Sequence, residues 1–154
     1  MLKCCLYLLI CVFTLPVFAD QATVAVPIHT KGASTFYIKG QLGNLASADF
    51  MVDTGSGYLV INQQSLTQLK KQGQASYVKD IRGILANGHK FVVPVWRVSS
   101  FTIADQCVLH NVDAAVFPGK TRQILGLTAL EKAAPFVFSV SPPQIVLSHC
   151  TAAS

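Results

Sequence analysis

The sequence predicts an all-β domain with one or two short helices. Two observations carry this. Segments of four to eight residues rich in Val, Ile, Thr, Phe and Tyr recur along the chain, each bounded by Gly, Pro or Asn. Helical spacing of apolar residues occurs only in two short stretches. At 154 residues the chain suits one domain with one core.

Taken in order, Thr23 to Ile28 alternates and is β-branched, so it reads as a strand. Thr35 to Leu42 is a second strand, closed by a Gly43-Asn44 turn, and Ala46 to Val52 is a third. Tyr58 to Asn62 is a fourth. Ser65 to Gln72 is polar, with Leu66 and Leu69 three apart, which predicts a short helix capped near Ser65. Asn87-Gly88 is the strongest turn signal, a type I′ hairpin flanked by Ile81 to Ala86 and His89 to Trp96. Val98 to Ile103, Gln106 to Leu109 and Val112 to Phe117 follow as separate strands. Leu127 to Lys132 reads as a short helix. Phe136 to Val140 and Gln144 to Leu147 then form a hairpin around Pro142-Pro143.

The first residues read as a secretory signal. Lys3 supplies the positive end, Cys4 to Val17 is apolar, and small residues precede a cut before Asp20. The expected division is therefore a signal peptide over 1–19 and a mature domain over 20–154, placed in the periplasm or secreted. The apolar run is short for a spanning helix, so an uncleaved membrane anchor is the minor alternative. Lys3 is the only charge lost on cleavage, which takes the formal charge from +5 to +4. Lys70-Lys71 is the only basic doublet, with no basic stripe interleaved with aromatics, so nucleic acid is not an expected partner.

The mature chain keeps two cysteines, Cys107 and Cys150. In an exported protein these most simply form one disulfide. A zinc site built from Cys107, His110, His149 and Cys150 is the rival reading.

The chemistry sits in Asp53-Thr54-Gly55, which follows the apolar run Phe50-Met51-Val52 and precedes Ser56-Gly57 and a second apolar run. Asp and Gly also make ordinary turns for local reasons. Here, though, a carboxylate stands on a Gly-containing turn between two strands. Two such loops, meeting so that their carboxylates share a proton and hold a water, can hydrolyse a peptide bond. Like charges at that spacing titrate in two separated steps, which leaves one base and one acid. None of the other six acids, Asp20, Asp49, Asp80, Asp105, Asp113 and Glu131, is followed by Thr-Gly or Ser-Gly. A second carboxylate would have to come from a second copy of the chain.

From about Thr23 to Cys150 the sequence resembles the retropepsin-like aspartic proteases, in particular exported bacterial members. Three features carry the resemblance: Phe50 to Ser56 as the active loop, the Asn87-Gly88 hairpin in the place of a flap, and Ile124-Leu125-Gly126 before a short helix. It implies a retropepsin-like half-barrel active as a two-fold dimer and acting on peptide or protein. No metal or organic cofactor is implied. It makes Asp53 the catalytic carboxylate and gives Thr54 a hydrogen bond across the dimer. It assigns loop support to Gly55, Ser56 and Gly126, a lid to Ile84, Leu85, Ala86, Asn87 and Gly88, and a dimer-sheet strand to Gln144 to Leu147. The tip lacks the glycine-rich sequence of viral members, and Gly57 adds a second glycine after the loop. The alternative is a catalytically silent module of the same fold that binds peptide or envelope polymer.

Overall fold

The structure is a computed structural model and describes residues 23–32, 35–84, 88 and 90–152. The segment read as a signal lies outside the described residues. Twelve strands form two sheets.

The larger sheet contains β3 (Thr35–Leu42), β4 (Ala48–Val52), β5 (Leu59–Asn62), β7 (Lys90–Ile103), β8 (Cys107–Phe117) and β9 (Ile124–Leu125). Pairing runs β8–β5–β9–β4–β3–β7, and β7 pairs back to β8, so these six strands close on themselves. Three further strands extend the ring: β2 (His29–Lys31) on β3, β6 (Ala75–Ile84) on β7, and β12 (Thr151–Ala152) on β8. Inside lie Ile38, Phe50, Leu59, Ile61, Phe101, Ile103, Val112 and Leu125, all buried. Phe50 and Phe101 meet edge to face at 4.8 Å, and Gly40 makes room for them, since a Cβ there would lie 2.7 Å from the Phe101 ring. Phe50 of this pair lies on β4, the strand that leads into Asp53.

The smaller sheet is antiparallel, in the order β1 (Val24–Pro27), β11 (Pro143–Leu147), β10 (Phe136–Val140). Val26, Ile145 and Leu147 bury its inner face. β11 is paired on both sides, to β1 and to β10. Gln144 to Leu147, expected as a dimer-sheet strand, is the centre of its own sheet and has no free ladder among the described residues.

Several boundaries differ from the sequence reading. The first helix, α1 (Gln63–Lys71), is capped by Asn62, whose Oδ1 accepts the Ser65 N–H at 2.9 Å, so Ser65 lies inside the first turn. The hairpin strand β6 begins at Ala75 rather than Ile81. β7 runs unbroken through Arg97, which donates from Nε and Nη2 to Asp113 on the opposite strand at 2.7 and 3.1 Å. β8 runs unbroken through Asn111, whose positive φ of 54° marks the break the sequence suggested, while the register is the same on either side. The second helix, α2 (Leu127–Leu130), continues as a 3₁₀ turn over Glu131–Ala133, close to its expected extent. Among the described residues no helix is long and apolar enough to cross a membrane.

Cys107 and Cys150 are bridged, with Cα atoms 4.8 Å apart. The sulfurs bond each other and leave no thiolate for zinc. The bridge ties β12 and the C-terminal segment to the base of β8.

Outside the barrel, Asp49 on β4 gathers two lysines and a histidine. Lys31 pairs with it closely, Lys39 lies at 2.9 Å and His29 at 3.3 Å. The hydrogen bonds from Lys31 and then Lys39 hold its carboxyl down at about 2. Because the folded-state value is depressed, the stabilisation is complete above about pH 4 and disappears as pH falls toward 2. Asp49→Asn is expected to cost about 1–2 kcal/mol at neutral pH, discounting for a carboxylate that is 20% exposed. The gap between variant and wild type in chemical denaturation should close as pH is lowered through 4 to 2.

Candidate active site

Three backbone elements position Asp53. β4 and β5 are not paired to each other; β9 lies between them, parallel to β4 and antiparallel to β5. The Asp53-Thr54-Gly55 loop therefore arches over the end of β9 to join two strands that β9 separates. The Asp53 N–H donates to Leu125 O at 3.1 Å, and the Leu127 N–H returns to Ser56 O at 2.9 Å. These two bonds stitch the loop to the residues on either side of Gly126.

Gly126 has to be a glycine because of this approach. A Cβ there would lie 2.1 Å from Tyr58 O and 2.7 Å from Ser56 O, both backbone atoms that cannot yield. Within the loop, the Ser56 N–H closes a turn onto Asp53 O at 3.2 Å, and the Gly55 N–H donates to Asp53 Oδ1 at 2.9 Å. That bond fixes the orientation of the carboxylate. The Ser56 hydroxyl donates to Tyr58 O at 2.8 Å, so its side chain supports the loop. Asp53 is half-buried, while Thr54 and Gly55 are exposed at the tip of the loop.

Sequence reasoning missed Thr128. Its hydroxyl accepts the Leu59 N–H at 2.8 Å and donates to Asp113 O at 2.7 Å. It thereby bridges α2 to the start of β5 and to β8, just behind the catalytic loop. Its place two residues after Gly126, at the start of a helix, was the available signal.

The β6–β7 hairpin is the long antiparallel arm of the molecule. Ile84 is exposed near its tip and Gly88 has φ of +81°. Leu85, Ala86 and Asn87 lie outside the described residues. The Phe91 ring covers Gly83, where a Cβ would come within 2.3 Å of it, and packs on Phe117 of β8 at 5.2 Å. Lys79 Nζ lies 5.9 Å from the Tyr58 ring. A cavity of about 530 Å³ is lined by Arg82, Gly83, Ile84, Lys90, Phe91 and Val92.

A family model described as aspartyl protease matches residues 36–129, more than half of the chain. The chain belongs to the aspartyl protease family. The matched span takes in the catalytic loop, the hairpin and Gly126. Among solved structures, the chain is similar to a retropepsin-like aspartic protease from Rickettsia conorii. The two share 19% identity, the match covers 85% of this chain and 93% of that one, and the TM-score is 0.56. At that identity the likeness establishes the retropepsin-like fold, as the loop, hairpin and Gly126 motifs implied. No curated protein matches the chain.

Two substitutions test this support. Gly126→Ala should destabilise the fold by on the order of 3 kcal/mol or more, because backbone must move to admit the methyl group. Thr128→Val keeps the shape and loses both hydrogen bonds, so about 2 kcal/mol is expected. Thermal or urea denaturation reads both.

Proposed function

We propose that the protein is an exported aspartic endopeptidase, with an active site made from Asp53 of two identical chains. The observation that carries this is the Asp53 carboxylate held by the Gly55 N–H, on a loop pinned through Gly126, with Thr54 and Gly55 exposed beside it. A rigid, exposed half-site is what a second copy must meet if two carboxylates are to share one proton.

In this reading a water bound between the two Asp53 carboxylates attacks the scissile carbonyl. The ionised carboxylate takes the water's proton as the protonated one gives its own to the carbonyl oxygen, which leaves a neutral diol. The carboxyl that took the water's proton then gives it to the leaving nitrogen as the C–N bond breaks, and the other carboxylate takes a proton back from a diol hydroxyl, which restores the dyad. No residue is acylated. Thr54, at the loop tip, bonds to the partner loop and keeps the carboxylates coplanar. The β6–β7 hairpin lies over an extended peptide and excludes water. The apolar surface of Phe91, Ile84 and Val92, with Arg82 and Lys90 at its margin, offers it a wall to close with. The Cys107–Cys150 bridge supports an oxidising compartment, in keeping with removal of residues 1–19 on export.

Asp53→Asn decides between cleavage and mere binding. The amide cannot supply the shared proton or the negative charge. Turnover of an unstructured protein should fall at least about 10³-fold, with the melting temperature unchanged. Activity in the variant near that of wild type would refute the assignment. A wild-type protein that binds peptide and never cuts it, across acidic to neutral pH, would favour the silent binding module.

A further inference from the structure

We infer that the site selects a peptide with an acidic side chain beside the bond it cuts, and that Arg122 is the residue that binds this side chain. This rests on the reading of Asp53 as half of a catalytic dyad, and it names the class of substrate that the dyad takes.

The backbone ladder fixes which side chains share a face with Asp53. The Met51 and Asp53 N–H groups donate to Gln123 O and Leu125 O, at 3.0 and 3.1 Å. Met51 and Asp53 are thus alternate residues against one neighbouring strand, and alternate side chains project from the same face. Met51 is paired with Ile124 across that ladder, so Ile124 shares the face too. The opposite face is the packed interior, which holds Phe50 and Leu125. Beside Asp53 the outer face therefore presents Met51 and Ile124, both half-buried. Met51 stands roughly 7 Å along the strand from Asp53, which is also the advance of an extended peptide over two residues.

Arg122 reaches into this face. It is exposed, and its Nη1 lies 3.4 Å from Met51 Sδ. A thioether is a weak acceptor, so the contact aims the guanidinium without using up its five donors. The other basic groups of the region are engaged. Lys31, Lys39 and His29 meet Asp49, and Arg97 is held by Asp113. Among the described residues Arg122 has no such carboxylate partner. A planar guanidinium matches a carboxylate in two parallel hydrogen bonds, which an acidic side chain of a bound peptide would supply.

The charges around the loop favour the same class of peptide. Asp49 lies two residues before Met51 on the same face, and Lys31, Lys39 and Arg122 stand against it. Past the loop, Lys79 Nζ lies 5.9 Å from the Tyr58 ring. An acidic segment approaching Asp53 therefore meets basic groups before and after the loop, which speeds encounter and fixes register. With the scissile carbonyl at Asp53, a Glu or Asp side chain one residue away extends toward Met51, where the Arg122 N–H groups donate to it. A Lys or Arg at the same place meets a like charge, so the site rejects basic residues as well as accepting acidic ones.

The test is a charge reversal read on matched peptides. Wild type first digests an unstructured protein, and mass spectrometry maps the cuts. Peptides built on the best-cut sequence then carry Glu, Gln or Lys at each position within two residues of the cut. At one of these positions wild type should show kcat/KM about tenfold higher for Glu than for Gln, with Lys lowest. Added salt should narrow the gap. Arg122→Glu should invert the order in favour of Lys, with the melting temperature unchanged because the side chain is exposed. Arg122→Lys keeps the charge without the fork and should keep part of the preference. Equal cleavage of the three peptides by wild type, or a Glu preference that survives Arg122→Glu, overturns the role of Arg122 and leaves the dyad intact. So does an Arg122→Glu variant that loses all three peptides alike, since a residue that selects by charge must discriminate between them. If wild type cuts neither the protein nor any peptide, the endopeptidase reading falls, and this inference falls with it.

Discussion

The arrangement depends on one close approach, that of Gly126 to the backbone of Ser56 and Tyr58. The catalytic loop joins two strands that do not touch each other, so it has no hairpin ladder of its own to hold it. It borrows order from β9, through the bonds from Asp53 N to Leu125 O and from Leu127 N to Ser56 O. Both exist only if position 126 carries no side chain, because a Cβ there would lie 2.1 Å from Tyr58 O and 2.7 Å from Ser56 O. The direction of the Asp53 carboxylate, its bond from Gly55 and the exposure of Thr54 all follow from that contact.

Around this centre, the supporting contacts lie in layers. Thr128 fastens α2 to β5 and β8 directly behind the loop, and the Phe50–Phe101 pair packs inside the barrel. Farther out, the β6–β7 arm is held mainly by its own ladder and by the stack of Phe91 between Gly83 and Phe117.

Charge is distributed in keeping with this division. Asp49 collects His29, Lys31 and Lys39 on the outside of β2, β3 and β4, and Asp113 pairs with Arg97 across β7 and β8. The ion pairs brace the outer surface of the large sheet. The small sheet carries no charge on its strands.

What the sequence determined by itself was local. The strands read over Thr35 to Leu42 and Phe136 to Val140 matched the observed strands residue for residue, because runs of β-branched and aromatic residues bounded by turn residues favour extended backbone. Asp53-Thr54-Gly55 and the Ile-Leu-Gly motif announced the candidate site, and Cys107 and Cys150 announced their bridge. Tertiary structure decided the rest. Asn62, not Ser65, caps α1, although both residue types are good caps. β7 and β8 run through Arg97 and Asn111, polar residues that read as breaks until each is seen against its partner strand. The turn between those strands places Ala104 and Asp105 at positive φ, which their side chains do not advertise. β11 became a central strand and β10 an edge, because which ladder is left open depends on what every other strand has already paired with. Periodicity reports which face of a strand is buried, but only the assembled sheet shows which edge is free.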